Sequence, residues 1–287
     1  MNNDVISLIS SEEGKFSKGQ KRIAEYIKAN YDKAAFMTAG RLGEAVGVSE
    51  STVVRFAADL GFPGYPEMRQ ALKELVKNRL TSVQRIAVAK DKMGSGDIVG
   101  AMMTADVEKI HTTMEHLDRR SFDEAVTAIT EAKNIYILGL RSSAALASFL
   151  GFYLMLLFPG VRVVSEGAAS GIYEQLLRIG PGDVLIGLSF PRYSKRTVKA
   201  MQFARDQGAA VVGITDTENS AIARIATISL YARSDMVSFL DSLVAPLSLI
   251  NALIVAAANR SEYDLTENFN RLEGIWADYD VYEKPGQ

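Results

Sequence analysis

No cysteine occurs among the 287 residues, so disulfides, thiolate metal sites and thiol nucleophiles are excluded, and nothing points to an oxidising compartment. No metal site and no cofactor is expected. Long hydrophobic runs are missing as well. The longest, ALASFLGFYLMLLFPGV ending at Val161, falls short of the about 20 residues that a bilayer span needs, and it carries Pro159 and Gly160. Residues 1–20 lack the basic start, apolar stretch and small-residue cleavage site of a secretory signal. A soluble, cytoplasmic chain with no membrane partner is expected. Strong charge is the third absence: the formal net charge is −2, made of +2 over residues 1–80 and −4 over the remainder. Nucleic-acid binders are often far more basic, so DNA binding must be read from where charges fall in a motif and not from totals.

What is present divides the chain. Ile23, Tyr26, Ile27 and Tyr31 recur at helical spacing, and no alternating strand pattern precedes residue 130. Beyond it come five short β-rich runs: NIYILGL (134–140), VRVVS (161–165), DVLIGLSF (183–190), AAVVGIT (209–215) and ATISLYA (226–232). Several are nearly continuous in apolar character, as strands buried on both faces are. Segments of helical length separate them, Ala144 to Phe158 and Thr197 to Gln207 among them, so the pattern reads βαβαβ and the sheet is expected to be parallel. The late helix SLVAPLSLINALIVAAANR is too apolar for a solvated surface and either packs on the sheet or meets another subunit.

Met37 to Leu72 has a more specific grammar. Thr38 suits the N-cap of a short helix bearing Leu42 and Ala45, which Gly47 ends. A tight turn, GVS, follows. Ser49 caps a second helix with Val53, Phe56 and Leu60 on its inner face and Gly61 at its stop, leaving Glu50, Ser51, Thr52 and Arg55 outward near its beginning. Two short helices around a glycine turn make a helix-turn-helix, with an αα-corner in a purely structural helical domain as the plainer alternative. Thr38, Ser49, Glu50, Ser51, Thr52 and Arg55 are the residues expected at DNA. Arg55 suits a guanine edge or a phosphate, and Lys18, Lys21, Arg22, Arg69 and Lys73 suit supporting phosphate contacts. The fold class expected is α/β: an all-α N-terminal helix-turn-helix domain (1–80), a linker and connecting helix (81–129, with DKMGSGD at 91–97 as hinge), and a doubly wound parallel-sheet domain (130–287).

Two polar loops follow strands of that sheet. The first strand runs into Gly139, Arg141, Ser142 and Ser143; the third runs into Ser189, Arg192, Tyr193, Ser194 and Lys195. In an open parallel sheet of order 2-1-3-4-5, both loops border the crevice where strand order reverses, which is where ligands settle. Hydroxyls, helix-start amides and guanidinium or ammonium groups suit a phosphate or carboxylate, and Tyr193 among hydroxyls also suits a polyol. The plainer alternative is that the serines cap helices and the cations are solvated.

At these residues the chain resembles the RpiR-type transcriptional regulators, in which a helix-turn-helix domain is joined to a sugar isomerase (SIS) domain. GVSESTVVRF carries the likeness at the front, and about residues 130–260 carry it in the SIS part. The resemblance implies a homodimer or homotetramer bound to double-stranded operator DNA, with a small anionic sugar-derived effector changing its affinity. It also shows departures. The usual first loop is similar to G-x-G-x-S, but Arg141 takes the second glycine position while Ser143 is kept. The usual later loop is similar to S-x-S-G-x-T, but SFPRYS keeps Ser189, puts Pro191 and Arg192 where serine and glycine are expected, and ends in Ser194. These changes are expected to remove backbone flexibility and add positive charge. The rival class is a sugar-phosphate isomerase or lyase on the same fold. That chemistry needs a placed base, normally Glu or His. His111 and His116 lie upstream of the sheet, and Glu166 and Glu174 follow the second strand outside any motif that reads as catalytic, so no catalytic residue and no enzyme activity are expected.

Overall fold

A computed structural model describes residues 5–79, 86, 96–166, 171–234 and 240–283, and the chain divides into two units, Met1–Lys90 and Asp91–Gln287. The first unit is built from helices α1 (Val5–Glu12), α2 (Lys18–Ala29), α3 (Tyr31–Ala34), α4 (Ala39–Val46), α5 (Glu50–Asp59) and α6 (Tyr65–Arg79). Ser17 opens α2 with a capping box: its hydroxyl accepts from Gln20 N–H, and the Gln20 side chain accepts from Ser17 N–H at 2.9 Å. Asn30 ends that helix, so Tyr31 begins α3 and does not continue the Ile23–Ile27 face. Each longer helix sends one apolar edge inward, and Ile9, Ile23, Ile27, Leu42, Val53, Phe56, Met68 and Leu72 are fully buried together.

The second unit opens with α7 (Ile98–His116) and α8 (Arg119–Thr130) and continues through β1 (Ile135–Gly139), α9 (Ser143–Leu157), β2 (Val161–Val164), α10 (Ile172–Gln175), β3 (Val184–Leu188), α11 (Lys195–Asp206), β4 (Ala210–Thr215), β5 (Ile228–Tyr231), α12 (Val244–Arg260) and α13 (Leu265–Asp278). The five strands form one parallel sheet of order β2-β1-β3-β4-β5, with Gly139 opposite Leu188 in the β1–β3 pair. All five strand runs read from the sequence therefore contain strands, and their order is the one under which the first and third loops border the same crevice. β1 and β3 are buried at every position, which explains their unbroken apolar character.

Helices cover both faces. Residues of α8, α9 and α12 pack on one face against Ile135, Ile137, Ile186 and Val212. Leu176, Ala200, Met201 and Ala204 cover the other, against Tyr136, Leu138, Leu185 and Val211. The apolar late helix, α12, is thus a sheet-packing helix, with Leu249, Ile250, Leu253 and Ala257 buried. Glycines permit the closest approaches: a Cβ on Gly187 would lie 2.3 Å from the Met201 sulfur, and one on Gly139 would lie 2.4 Å from the Ser143 carbonyl oxygen.

The segment read as linker and connecting helix holds more structure than a linker. α7 packs on α12, and α8 packs on α12 and β5, so both helices belong to the second unit. The expected boundary after residue 80 and residues 91–95 of the expected hinge lie outside the described residues. Among the described residues no single helix is long and apolar enough to cross a membrane.

Candidate functional site

The first candidate surface is the α4–turn–α5 corner. Thr38 caps α4 by accepting from Arg41 N–H at 3.3 Å, and Gly47 ends it at φ 68°. The Arg22 guanidinium donates to the Gly47 carbonyl at 3.1 Å, so Arg22 closes the corner. Gly43 lets α4 press against the turn, since a Cβ there would lie 2.7 Å from the Val48 carbonyl oxygen. Ser49 caps α5 through Thr52 N–H at 3.3 Å, and its hydroxyl also lies 2.9 Å from that of Ser51 and 2.8 Å from that of Thr52. Val53, Phe56 and Leu60 are buried as read; Glu50, Ser51 and Arg55 are exposed and Thr52 is half-buried. Val46 joins Leu42 on the inner side of α4, whereas Ala45 is exposed. Lys18 and Lys21 are exposed, whereas Arg69 and Lys73 on α6 are half-buried.

The second candidate surface is the carboxyl edge of the sheet. β1 runs into α9 on one face and β3 into α11 on the other, so the neighbouring loops part from each other there. In the first loop, Arg141 is exposed with φ 57°. Ser142 precedes α9 without a side-chain cap bond, and Ser143 is buried at the helix start. In the second loop, Ser189 is buried and its hydroxyl accepts from Ser194 N–H at 3.2 Å. Arg192 is exposed with φ 65°. Ser194 caps α11 by accepting from Thr197 N–H at 3.3 Å, and exposed Lys195 and Arg196 fill the first turn.

That charge order runs against the helix dipole, which favours anions at this end. Glu166 offsets part of this charge through a 2.7 Å ion pair with Arg196. Gly139, Arg141, Ser142 and Ser143 thus stand on the strand next to the one that delivers Ser189, Arg192, Tyr193, Ser194 and Lys195.

Arg141 and Arg192 share one backbone feature. Both residues adopt the left-handed conformation that glycine normally supplies, with a long cation at each bend.

Three residues were missed from the sequence. The Tyr193 hydroxyl donates to Asp216 Oδ1 at 2.7 Å, and the Thr215 hydroxyl donates to the same oxygen at 3.3 Å. Asp216 is buried at the end of β4, and the rule placing ligands at strand carboxyl ends applies equally to that strand. Thr197 is fully buried in the first turn of α11, with its hydroxyl unpartnered among the described residues. A separate hollow between the end of α9 and α13, lined by Met155, Phe158, Tyr263 and Ile275 with Arg271, is mostly apolar and holds no comparable hydroxyl and cation cluster. Both histidines engage neighbours on their own helix: His111 Nδ1 lies 3.4 Å from Glu115 Oε1, and His116 Nδ1 lies 2.9 Å from Thr112 O, all on α7.

A helix-turn-helix unit followed by a sheet unit with a polar switch-point edge defines a DNA-reading protein with a metabolite-binding fold attached. The chain matches the helix-turn-helix domain of the rpiR family over residues 3–79 and the SIS domain over residues 128–256. It belongs to the RpiR-type transcriptional regulators. It is 25% identical to the HTH-type transcriptional regulator HexR of Pseudomonas aeruginosa over 94% of either chain. The sugar isomerase domain of the RpiR transcription factor from Sphaerobacter thermophilus covers 62% of this chain and 99% of its own at 29% identity and TM-score 0.59. The Vibrio vulnificus NanR protein, solved in complex with ManNAc-6P, shares the fold over 96% of this chain and 98% of its own, at 22% identity and TM-score 0.59.

Proposed function

We propose that this regulator reads operator DNA with the outer edge of α5 and that a phosphorylated or acidic sugar, bound across the β1–α9 and β3–α11 loops, changes how tightly it does so. The observation that carries the reading is the pair of left-handed arginines, Arg141 and Arg192, at neighbouring strand ends beside Ser142, Ser143 and Ser194. Cations and hydroxyls at two helix starts on either side of a crevice suit an anionic polyol. The NanR structure with ManNAc-6P supports that ligand class by likeness of fold.

On DNA, Glu50, Ser51, Thr52 and Arg55 face base edges, Thr38 and Ser49 hold the corner in shape, and Lys18, Arg69 and Lys73 approach phosphates. Residues 1–80 act as the reading domain and residues 130–287 as the effector domain. The protein works in the cytoplasm, where operator DNA lies, and as a homo-oligomer, dimer or tetramer. A stripe on α7 supports self-association: Val99, Met103, Val107 and Met114 are each more than half exposed along one helix edge. The role is regulatory rather than catalytic. Glu166 is held by Arg196, both histidines sit on α7, and HexR and the Sphaerobacter thermophilus protein are a transcriptional regulator and a transcription factor.

An effector couples to DNA only through differential affinity for two states, typically about 1–3 kcal/mol. The test is fluorescence anisotropy of DNA flanking the protein's own gene, titrated with N-acetylmannosamine 6-phosphate, glucose 6-phosphate, gluconate 6-phosphate and inorganic phosphate. Operator affinity that changes with a phosphosugar but not with phosphate supports the reading; turnover of a phosphosugar favours an isomerase.

A further inference from the structure

Helix α7 turns a polar edge inward. Asp106, Lys109 and Thr113 are spaced to share one edge of the helix, and Lys109 and Thr113 are buried. Lys109 Nζ donates to Asp106 Oδ1 at 3.2 Å and to the Ala105 carbonyl at 3.3 Å. The Ser242 hydroxyl donates to the same Asp106 oxygen at 2.6 Å, and the buried Ser234 hydroxyl donates to the Ser242 carbonyl at 2.9 Å. The Arg233 N–H donates to Thr113 Oγ1 at 2.9 Å. The chain leaving β5 is therefore fastened to α7 at two points. Apolar side chains hold a helix against a core without desolvating a lysine, so polar fasteners here serve something other than adhesion.

The same stretch is tied to the second candidate surface. The Ala232 N–H donates to the Thr215 carbonyl at 2.8 Å. Thr215 and Tyr193 both donate to Asp216. Drawing the Tyr193 hydroxyl away leaves a buried carboxylate short of a donor, which makes the end of β4 readjust and β5 with it.

We infer that the run of hydrogen bonds from Tyr193 through Asp216 and Thr215 to Ala232, Arg233 and Thr113 transmits the state of the β3–α11 loop to α7, the helix that opens the second unit. Thr113 is then a positioning residue for regulation, remote from both ligands. This rests on the effector and operator reading above, and it adds the route.

Two measurements on the full chain test it. First, hydrogen exchange over residues 106–116 is compared in wild type, Tyr193→Phe and, as an exposed control on α11, Lys199→Ala. Faster exchange on α7 in Tyr193→Phe alone supports the route, and unchanged exchange overturns it whatever the effector is. Second, operator release by N-acetylmannosamine 6-phosphate and glucose 6-phosphate is compared in wild type, Thr113→Val and Thr113→Ser, with phosphosugar affinity measured by calorimetry. Thr113→Val is expected to shift half-release by about 3- to 20-fold at unchanged phosphosugar affinity, and Thr113→Ser to restore it. Wild-type release in Thr113→Val overturns the route. Where Thr113→Val does not fold, Thr113→Ala removes the same acceptor without added bulk and is read the same way. Absence of release in the wild type itself, with normal exchange coupling, strikes the effector reading and leaves the route standing.

Discussion

Arg141 and Arg192 adopt the same left-handed backbone conformation, φ 57° and 65°, just past the ends of two paired strands, β1 and β3. Apart from Asp280, they are the only non-glycine residues with positive φ among the described residues. The conformation costs an L-residue roughly 1–2 kcal/mol that glycine does not lose. On the proposed reading, the strain at these two bends is retained for the side-chain chemistry at the expense of stability. Arg141→Gly and Arg192→Gly are therefore expected to raise the urea midpoint by the equivalent of up to about 1 kcal/mol, since the extra freedom of glycine in the unfolded chain offsets part of the gain. Both are expected to weaken binding of phosphosugars. A lower midpoint in either variant would contradict the strain assignment.

Arg55 is the one long cation on the exposed start of α5. Arg55→Ala is expected to weaken operator binding by about 10- to 100-fold and, where Arg55 contacts a phosphate, to reduce the salt slope by about one. Calorimetry of the same variant with a phosphosugar is expected to match the wild type. Operator titrations at several salt concentrations measure both quantities, and undiminished affinity would move the reading edge elsewhere.

Ser49 holds three groups at once: Thr52 N–H and the hydroxyls of Ser51 and Thr52. Ser49→Ala removes the cap and is expected to cost about 1 kcal/mol of stability, read as a lower urea midpoint. Ser49→Asp keeps an acceptor there and is expected to hold the midpoint near wild type, while its charge weakens DNA binding.

Tyr65 gives a pH test in the first unit. Its buried hydroxyl donates to the Met37 carbonyl at 3.0 Å, and burial raises its pKa above 10.0 against the opposing pull of Arg69. Because the folded value lies above the unfolded one, its contribution to stability is complete below about pH 10 and is lost as pH rises through the folded value. Tyr65→Phe is expected to be less stable than wild type by about 1 kcal/mol at pH 7. That gap should shrink above pH 10. Urea midpoints from pH 7 to 11 measure it, and a pH-independent gap would contradict the assignment.

Much of this was legible in the sequence because single residues carried it. Gly47 and Ser49 bracket the turn, and near-continuous apolar runs such as VLIGL mark strands covered on both faces. The parallel sheet followed from the alternation of strands and helices, whereas the strand order entered the sequence reading only as a condition and is supplied by the structure. Other features depend on contacts between distant residues. Asp216 meets Tyr193 across 23 positions and Thr113 meets Arg233 across 120, and no local pattern announces such pairs. Ala45 and Val46 are adjacent and both within one turn of Leu42, so spacing within an eight-residue helix does not decide which one turns inward; the structure buries Val46.

The central claim is that an anion at the β1–β3 edge sets the grip on DNA, and Arg192→Ala tests it most directly. The measurement is operator affinity of wild type and Arg192→Ala by fluorescence anisotropy, with and without a phosphosugar that shifts the wild type. The account predicts equal affinity for DNA without the phosphosugar and a response lost or greatly reduced in the variant with it. A variant that responds at the wild-type concentration, or that loses operator affinity without any phosphosugar present, contradicts the account.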